Sequence, residues 1–340
     1  TINDNKIIFI FCLENHLNLD IVCSLKVIYH NYMSVYTNLS TKDVSLLLSK
    51  YSIGTLKSFQ GISDGITNTN YFLNTSKGKY IITIFEDITE SKVKKYLKLM
   101  NFFSNNNMCC PEIMLTKSGD ISSKVKSKPC SIMEKLSGKT INITNVSLCK
   151  SIGTIIGNFH NTGSKYNYKI SNTRDIKWVK KNIAKIKNHI SKEQLDILSY
   201  SSRVFRKIFE MKLPNGMIHS DLFRDNVLAR GNKVTGIIDY YYSFNGPLIY
   251  ELAVIINDWC VNKDGSINLR KYNSFLNSYN LERKLIAVEK KQMNNAMIAA
   301  GLRFYLSRLV DMIFPKVGEI THIKDPSVFE TIIKKRINLA

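Results

Sequence analysis

The chain has 340 residues, 44% hydrophobic and 10% aromatic, with a formal net charge of +21 and a pI of about 9.6. That composition excludes a disordered chain, and no apolar run approaches the ~20 residues that a membrane-spanning helix requires. The 48 basic residues are mostly lysines scattered among Asn and Ile, with no zinc-finger, RNP or base-reading helix pattern. AT-rich coding explains them more simply than a nucleic-acid surface, so no nucleic-acid partner is expected. The seven cysteines, at 12, 23, 109, 110, 130, 149 and 260, show no CxxC pair and no zinc spacing. They read as small core thiols in a reducing, cytoplasmic compartment.

Residues 1 to 32 have weak periodicity and no clear caps. They read either as a genuine N-terminal element or as an extension upstream of Met33 that is not native or is disordered. From Ser40 the pattern is orderly. Ser40 or Thr41 caps a helix through Lys50, with Val44, Leu47 and Leu48 on one face. The loop "GISDGIT" then leads into two strands, "NTNYFLNT" and "KYIITIFE", turned by Ser76-Lys77-Gly78. A helix near 89 to 104 and a strand "SIMEKL" complete a sheet-rich section, assigned to 33–134. After Gly138 the pattern is helical. Asn145 caps a helix whose Cys149, Ile152, Ile156 and Phe159 share a face. Further helices fit 172 to 190, 192 to 211, 248 to 260, 267 to 278, 284 to 313 and 326 to 338. The expectation is an α+β chain, with a small sheet-rich lobe at 33–134 and a larger, mainly helical lobe at 135–340.

One segment interrupts the helical half: "HSDLFRDNVLARGNKVTGIIDYYYSFNGP", residues 219 to 247. It reads as a loop, a strand "NVLA", a turn at Arg230-Gly231-Asn232 and a strand "KVTGIID". The hairpin brings Asn226, before its first strand, towards Asp239, after its second. An amide and a carboxylate are hard oxygen donors that suit Mg²⁺. A separate acid, Asp221, suits a general base for a hydroxyl nucleophile. Base, metal ligands and a cleft between lobes are the parts phosphoryl transfer requires. Asp225 lies in the same loop, outside the pattern, and reads as a loop-shaping acid.

The segments "HSDLFRDNVL", "GIIDYYYSFNGPLIYELAVIINDWC", "GISDGITNTNYFL" and "LRFYLSRLVD" resemble the homoserine kinases of the aminoglycoside-phosphotransferase type. The resemblance runs from about Met33 to Ile337. It implies a two-lobed protein-kinase-like fold, with an antiparallel-sheet N-lobe and a helical C-lobe. It also implies transfer of the γ-phosphoryl group of ATP, with Mg²⁺, to the side-chain hydroxyl of L-homoserine in threonine biosynthesis. Carried over by position, Asp221 matches the catalytic base, Asn226 and Asp239 the Mg²⁺ ligands, and His219 a prop within the loop. Residues Gly61 to Asn70 match the flap over the phosphates, where Ser63, Thr67 and Asn68 are the candidate contacts. Glu134 marks the hinge that meets adenine through backbone groups. Thr83 stands where kinases usually carry a phosphate-binding lysine, which leaves the cation for the α/β-phosphates unidentified. Lys79 shares that strand face but lies ~13 Å away along it.

Homoserine is a zwitterion, so its site needs a cation for the carboxylate and an acid for the ammonium. Arg224, Arg303 and Arg308 are candidates for the first, because a guanidinium grips a carboxylate through two parallel donors. Asp258 in "NDWC" is the candidate for the second. The other readings are a phosphotransferase for an aminoglycoside, choline or another amino-alcohol, and a non-catalytic basic nucleic-acid-binding protein on the same scaffold.

Overall fold

The computed structural model describes residues 36–62, 67–315 and 324–338. The segment 1–32 lies outside them, as does Ser63. Helix α1 (Thr41–Leu48) starts at Ser40 in a capping box: the Ser40 hydroxyl accepts the Asp43 N–H, and the Asp43 carboxylate accepts the Ser40 N–H. Its buried residues are Val44, Leu47 and Leu48. They close one face of a five-stranded antiparallel sheet made by β1 (Leu56–Ile62), β2 (Asn68–Thr75), β3 (Lys79–Phe85), α2 (Glu90–Asn105) intervening, then β4 (Ser123–Val125) and β5 (Lys128–Glu134). The strand order is β1-β2-β3-β5-β4. Along β3 the side chains alternate, as a pleated strand requires. Ile82 and Ile84 enter the small core under α1, whereas Phe85 enters the main core.

Both outer strands, β1 and β4, escaped sequence analysis. Gly61 and Ile62 belong to β1 rather than to a loop. Edge strands are paired on one side only, and β1 buries no residue fully, so it shows no clean alternation. Helix α2 has a further lesson. Its inner residues Val93, Leu97, Met100 and Phe103 join the main core with the later helices, not the small core of the sheet. The boundary at 134 therefore divides strands from helices more cleanly than it divides the packing.

Beyond β6 (Lys139–Thr140), helix α3 (Val146–Gly163) is capped by the Asn145 side chain, which accepts the Leu148 N–H at 2.8 Å. Helix α4 (Ile176–Ile186) is shorter than its periodicity implied, because Asp175 caps it by accepting the N–H groups of Lys177 and Trp178. Helix α5 (Lys192–Glu210) begins with a Ser191–Gln194 capping box. Then β7 (Asn215–Ile218) leads into the loop of interest, followed by the hairpin β8 (Val227–Arg230) and β9 (Lys233–Ile237). Strand β10 (Phe244–Pro247) returns antiparallel to β7. Helices α6 (Leu248–Trp259), α7 (Leu269–Glu282), α8 (Ala287–Ile313) and α9 (Ser327–Ile337) complete the fold. No helix among the described residues is long and apolar enough to cross a membrane. The described cysteines, at 109, 110, 130, 149 and 260, are free thiols.

Helices α3 and α7 pack unusually close, through Gly153 and Gly157, one turn apart on α3. A Cβ added at Gly153 would lie 2.4 Å from the Phe275 carbonyl oxygen and 2.2 Å from the Ser278 hydroxyl oxygen. The substitution Gly153→Ala should therefore destabilise the fold by about 1–3 kcal/mol, the usual cost of overpacking. A thermal melt reads this as a Tm lower by several degrees. An unchanged Tm would mean that α7 yields without cost.

Candidate active site

The loop after β7 is organised by helix α6. Seven residues separate Glu251 from Asp258, two helical turns, so both carboxylates project from one face. Glu251 is fully buried, and its carboxylate accepts the backbone N–H groups of both His219 and Ser220, the latter at 3.0 Å. Ser220 takes the left-handed conformation, φ +65°, which an L-residue adopts only when its surroundings demand it. Its hydroxyl donates to the Tyr242 carbonyl at 2.8 Å. Two turns on, Asp258 accepts the Arg224 backbone N–H at 2.9 Å and the Arg224 Nε at 3.1 Å. The adjacent Trp259 donates its indole N–H to the Leu222 carbonyl at 3.1 Å. Burial pushes the Glu251 carboxyl up to about 8, against the pull of the two amides it holds.

This bracing holds Asp221, which is half-buried. Its Oδ1 accepts Arg303 Nη1 at 2.7 Å, and its Oδ2 accepts Asn226 Nδ2 at 3.2 Å. Asn226 Nδ2 also donates to the Asp221 carbonyl at 2.8 Å. The hairpin does what its spacing implied: Val227 pairs with Ile237, and the Ile238 N–H donates to the Asn226 carbonyl at 3.0 Å. Asn226 and Asp239 thus flank the same ladder end. Asp239 is itself left-handed, φ +65°. Its carboxyl is raised to about 7, first by burial and then by the negative charges of Asp221 and Asp225. Asp225 is exposed and pairs with Lys324 at 2.6 Å.

His219 is buried between these parts. Its Nδ1 accepts the Asp221 N–H at 3.3 Å and its Nε2 lies 2.9 Å from the Ile238 carbonyl, so the proton sits on Nε2. Burial lowers its pKa to about 4. The neutral ring ties the loop to the strand end that precedes Asp239.

On the nucleotide side, Thr83 lies in the middle of the sheet and donates to Asn70 Oδ1 at 2.7 Å. Its hydroxyl faces that of Tyr241, whose ring packs edge-on against Phe85 at 5.0 Å. Asn68 opens β2 with its side-chain carbonyl buried and without a hydrogen-bond partner among the described residues. Thr67 is exposed beside it. Glu134 ends β5; its backbone N–H donates to the Glu112 carbonyl at 2.8 Å. Lys79 is exposed at the hairpin end of β3, away from the flap.

The substrate-side candidates are unequally free. Arg224 is engaged with Asp258 and with the Asn142 carbonyl at 3.0 Å. Arg303 is buried against Asp221, with its guanidinium carbon 4.0 Å from the Phe304 ring centre and 4.9 Å from that of Tyr242. Arg308 donates to the Asp325 carbonyl at 2.8 Å and lies over Phe329. Sequence reasoning missed Glu251 altogether, although a lone acid inside the apolar run "LIYELAVII" was a visible signal.

A loop carboxylate at the end of a short strand, facing an amide and a second acid across a hairpin, is the layout of a kinase-like phosphotransferase. Residues 58–283 match the phosphotransferase enzyme family. The solved amicoumacin kinase shares the fold with a TM-score of 0.68 at 14% identity, over 89% of this chain and 98% of its own. A microcompartment-associated aminopropanol kinase does so with a TM-score of 0.62 at 12% identity, over 88% and 94%. Closer in sequence is the homoserine kinase of Methylobacillus flagellatus, 36% identical across 90% of this chain and 96% of that protein. The homoserine kinase of Neisseria meningitidis is 33% identical across 88% and 99%. The chain belongs to the phosphotransferase enzyme family and, within it, to the homoserine kinases.

The Glu251 brace predicts a pH effect. An unfolded glutamate titrates near ~4.3, and the folded carboxyl near about 8. Its charged form is the disfavoured one in the fold, so stability present at low pH is lost as pH rises from about 5 through about 8. Raised Asp239 acts in the same direction. The ligand-free protein should melt at a lower temperature at pH 8.5 than at pH 6, and Glu251→Gln should flatten that slope. The same variant turns an amide NH₂ towards a backbone N–H. It should therefore cost about 1–3 kcal/mol, the price of one unmet buried donor, and lower kcat through a displaced Asp221. Equal pH slopes in both proteins would remove Glu251 from this role.

Proposed function

We propose that this chain is a homoserine kinase in its own right: it transfers the γ-phosphoryl group of ATP to the side-chain hydroxyl of L-homoserine, in the cytoplasm. The observation that supports this reading best is the Asp221, Asn226 and Asp239 constellation, complete and braced, in a chain alike to homoserine kinases over nearly its whole length. Asp221 is the base. The substrate hydroxyl gives it a proton as the oxygen attacks the γ-phosphorus, and ADP leaves. Arg303 and Asn226 hold the two carboxylate oxygens in place for that transfer.

Asn226 and Asp239 would hold Mg²⁺, and the fit can be judged on this chain. Both offer oxygen, and Asp239 is crowded by two other acids that raise its pKa, a field that a cation relieves. No group of three His, Cys, Asp or Glu forms a metal cage among the described residues. That suits Mg²⁺, which takes one or two protein ligands and completes its shell with phosphates and water. When bound, the metal neutralises phosphate charge. The flap residues Ser63, Thr67 and Asn68 and the hinge at Glu134 are the proposed nucleotide contacts, with Thr83 as a neutral member of the sheet face. Asp258 is read as a brace of the loop through Arg224, and Arg303 as a holder of the base. No nucleic-acid partner is proposed.

The test is an ADP-release assay across hydroxy-amino acids, amino-alcohols and aminoglycosides. L-homoserine should be the preferred acceptor; efficient turnover of an aminoglycoside or choline with homoserine ignored would sink the reading. Asp221→Asn should lower kcat by roughly 10²–10⁴, the usual worth of a positioned base, with ATP affinity little altered. A variant with near-normal turnover would take Asp221 out of the mechanism.

Asp239→Ala should abolish Mg²⁺-dependent turnover, and Asn226→Ala should be milder and partly rescued by raised Mg²⁺. The rescue is only partial because Asn226 also holds Asp221. Calorimetric titration of MgATP against both variants checks the assignment without turnover. Unchanged metal dependence in both would overturn it.

A further inference from the structure

The carboxylate of an amino-acid alcohol requires a cation, and the arginines near Asp221 differ in how much of each guanidinium is already used. Arg224 spends its side chain on Asp258 and the Asn142 carbonyl. Arg303 gives Nη1 to Asp221 and is buried. Arg308 gives Nη1 to the Asp325 carbonyl. Arg174, just before α4, differs from all three. No carboxylate or carbonyl takes its side chain among the described residues; only its backbone N–H is engaged, by Asn172. The neighbouring acid, Asp175, is committed to capping α4.

Two rings hold Arg174 in place instead. Its guanidinium carbon lies 4.8 Å from the Trp178 ring centre and 5.6 Å from that of Tyr242. The Trp178 backbone is held by the helix cap, because its backbone N–H is one of the two that Asp175 accepts. Tyr242 is the ring that also backs Arg303, at 4.9 Å, and Arg303 reaches Asp221 directly. Arg174 and the catalytic carboxylate are therefore linked through one aromatic side chain. A cation held against ring faces keeps all five N–H donors for a ligand. Much of its conformational freedom is already lost before binding, which lowers the cost of capture. The residue is half-buried, so its donors stay within reach of solvent.

We propose that Arg174 is a specificity-determining residue that takes the substrate's carboxylate and so selects an α-amino acid alcohol over a plain amino-alcohol. The proposal rests on the homoserine reading above. It explains how the site can bind a carboxylate while Arg303 stays with the base.

The test compares L-homoserine with 3-aminopropan-1-ol, the same molecule without its carboxylate, as acceptors for the wild type, Arg174→Met and Arg174→Lys. Methionine keeps an apolar stem against Trp178 and Tyr242, and a thermal melt checks that each variant folds. The preference for homoserine, as a ratio of kcat/KM values, should fall about 10- to 100-fold in Arg174→Met, through loss of a charge-assisted contact. The change should appear in the homoserine KM, and lysine should recover part of it. A calorimetric titration with homoserine should weaken in parallel. If both acceptors lose activity in proportion, or neither changes, Arg174 does not bind the carboxylate and the proposal falls while the homoserine reading stands. If the wild type ignores homoserine, that reading falls and the proposal with it.

Discussion

Helix α6 carries the constraint on which the site depends, the buried carboxylate of Glu251 gripping two consecutive backbone amides. Strand β7 ends at Ile218, and the chain must leave its ladder inside the protein, where an amide without a partner costs more than a hydrogen bond returns. Glu251 meets the His219 and Ser220 N–H groups together, and Ser220 can then hold a left-handed conformation. Such a conformation costs a non-glycine residue roughly 1–2 kcal/mol, so it persists only because the carboxylate over-determines it. The turn that results points Asp221 outward. Asp258 and Trp259 hold the same loop further along, at Arg224 and Leu222. Helix α6 is buried along almost its whole length. It cannot shift without disturbing the main core, and the loop inherits that rigidity.

The aspartates of the site follow one pattern with one exception. Asp221 has Arg303, Asp225 has Lys324 and Asp258 has Arg224. Asp239 has no such ion pair among the described residues, and burial together with the charges of Asp221 and Asp225 raises its pKa. Removing a partner from a buried acid usually costs several kcal/mol. Asp239 has instead the Tyr241 backbone N–H and the more distant charge of Arg303, which offset its burial and its acidic neighbours only in part. The net charge of the whole chain works at longer range, because a basic surface draws in anionic nucleotides.

Local chemistry was legible in the sequence and long-range pairing was not. The Ser40 and Asn145 caps, the β2–β3 turn and the β8–β9 hairpin all rest on residues a few positions apart, and each appears where its spacing placed it. Asn226 and Asp239 belong here too, since a hairpin turns sequence spacing into proximity. Strands β1, β4, β7 and β10 were hidden because three or four residues, or an edge position, carry no usable period. The partners of the loop were hidden for a different reason. Arg303 meets Asp221 across 82 residues and Trp259 meets Leu222 across 37. Nothing in local spacing announces either. "NDWC" stood out as a motif, but its role as a brace emerges only when α6 is packed against the loop.

The middle of the sheet shows how the fold manages without the lysine that kinases carry on the third strand. Thr83 occupies that place and bonds to Asn70, with the Tyr241 hydroxyl beside it. The Tyr241 ring fills the space between Phe85 and Tyr96, at 5.0 and 6.1 Å. Helix α2 offers that space a tyrosine, where kinases place a glutamate to pair with the lysine. A buried ion pair carries a desolvation cost that its mutual attraction only sometimes offsets. Neutral hydroxyls and rings avoid that cost and still link the sheet to the segment after Asp239. At the third-strand position of that face stands a neutral hydroxyl, and lysines reach the same face only away from it, Lys79 at the hairpin end and Lys135 over the Phe72 ring at 5.5 Å. Among the described residues no lysine of β3 pairs with a glutamate of α2; Glu90 of that helix pairs instead with Lys94 and with Lys124 of β4, at the surface. The packing of Tyr241 between β3 and α2 joins these parts instead, and it is continuous with the main core.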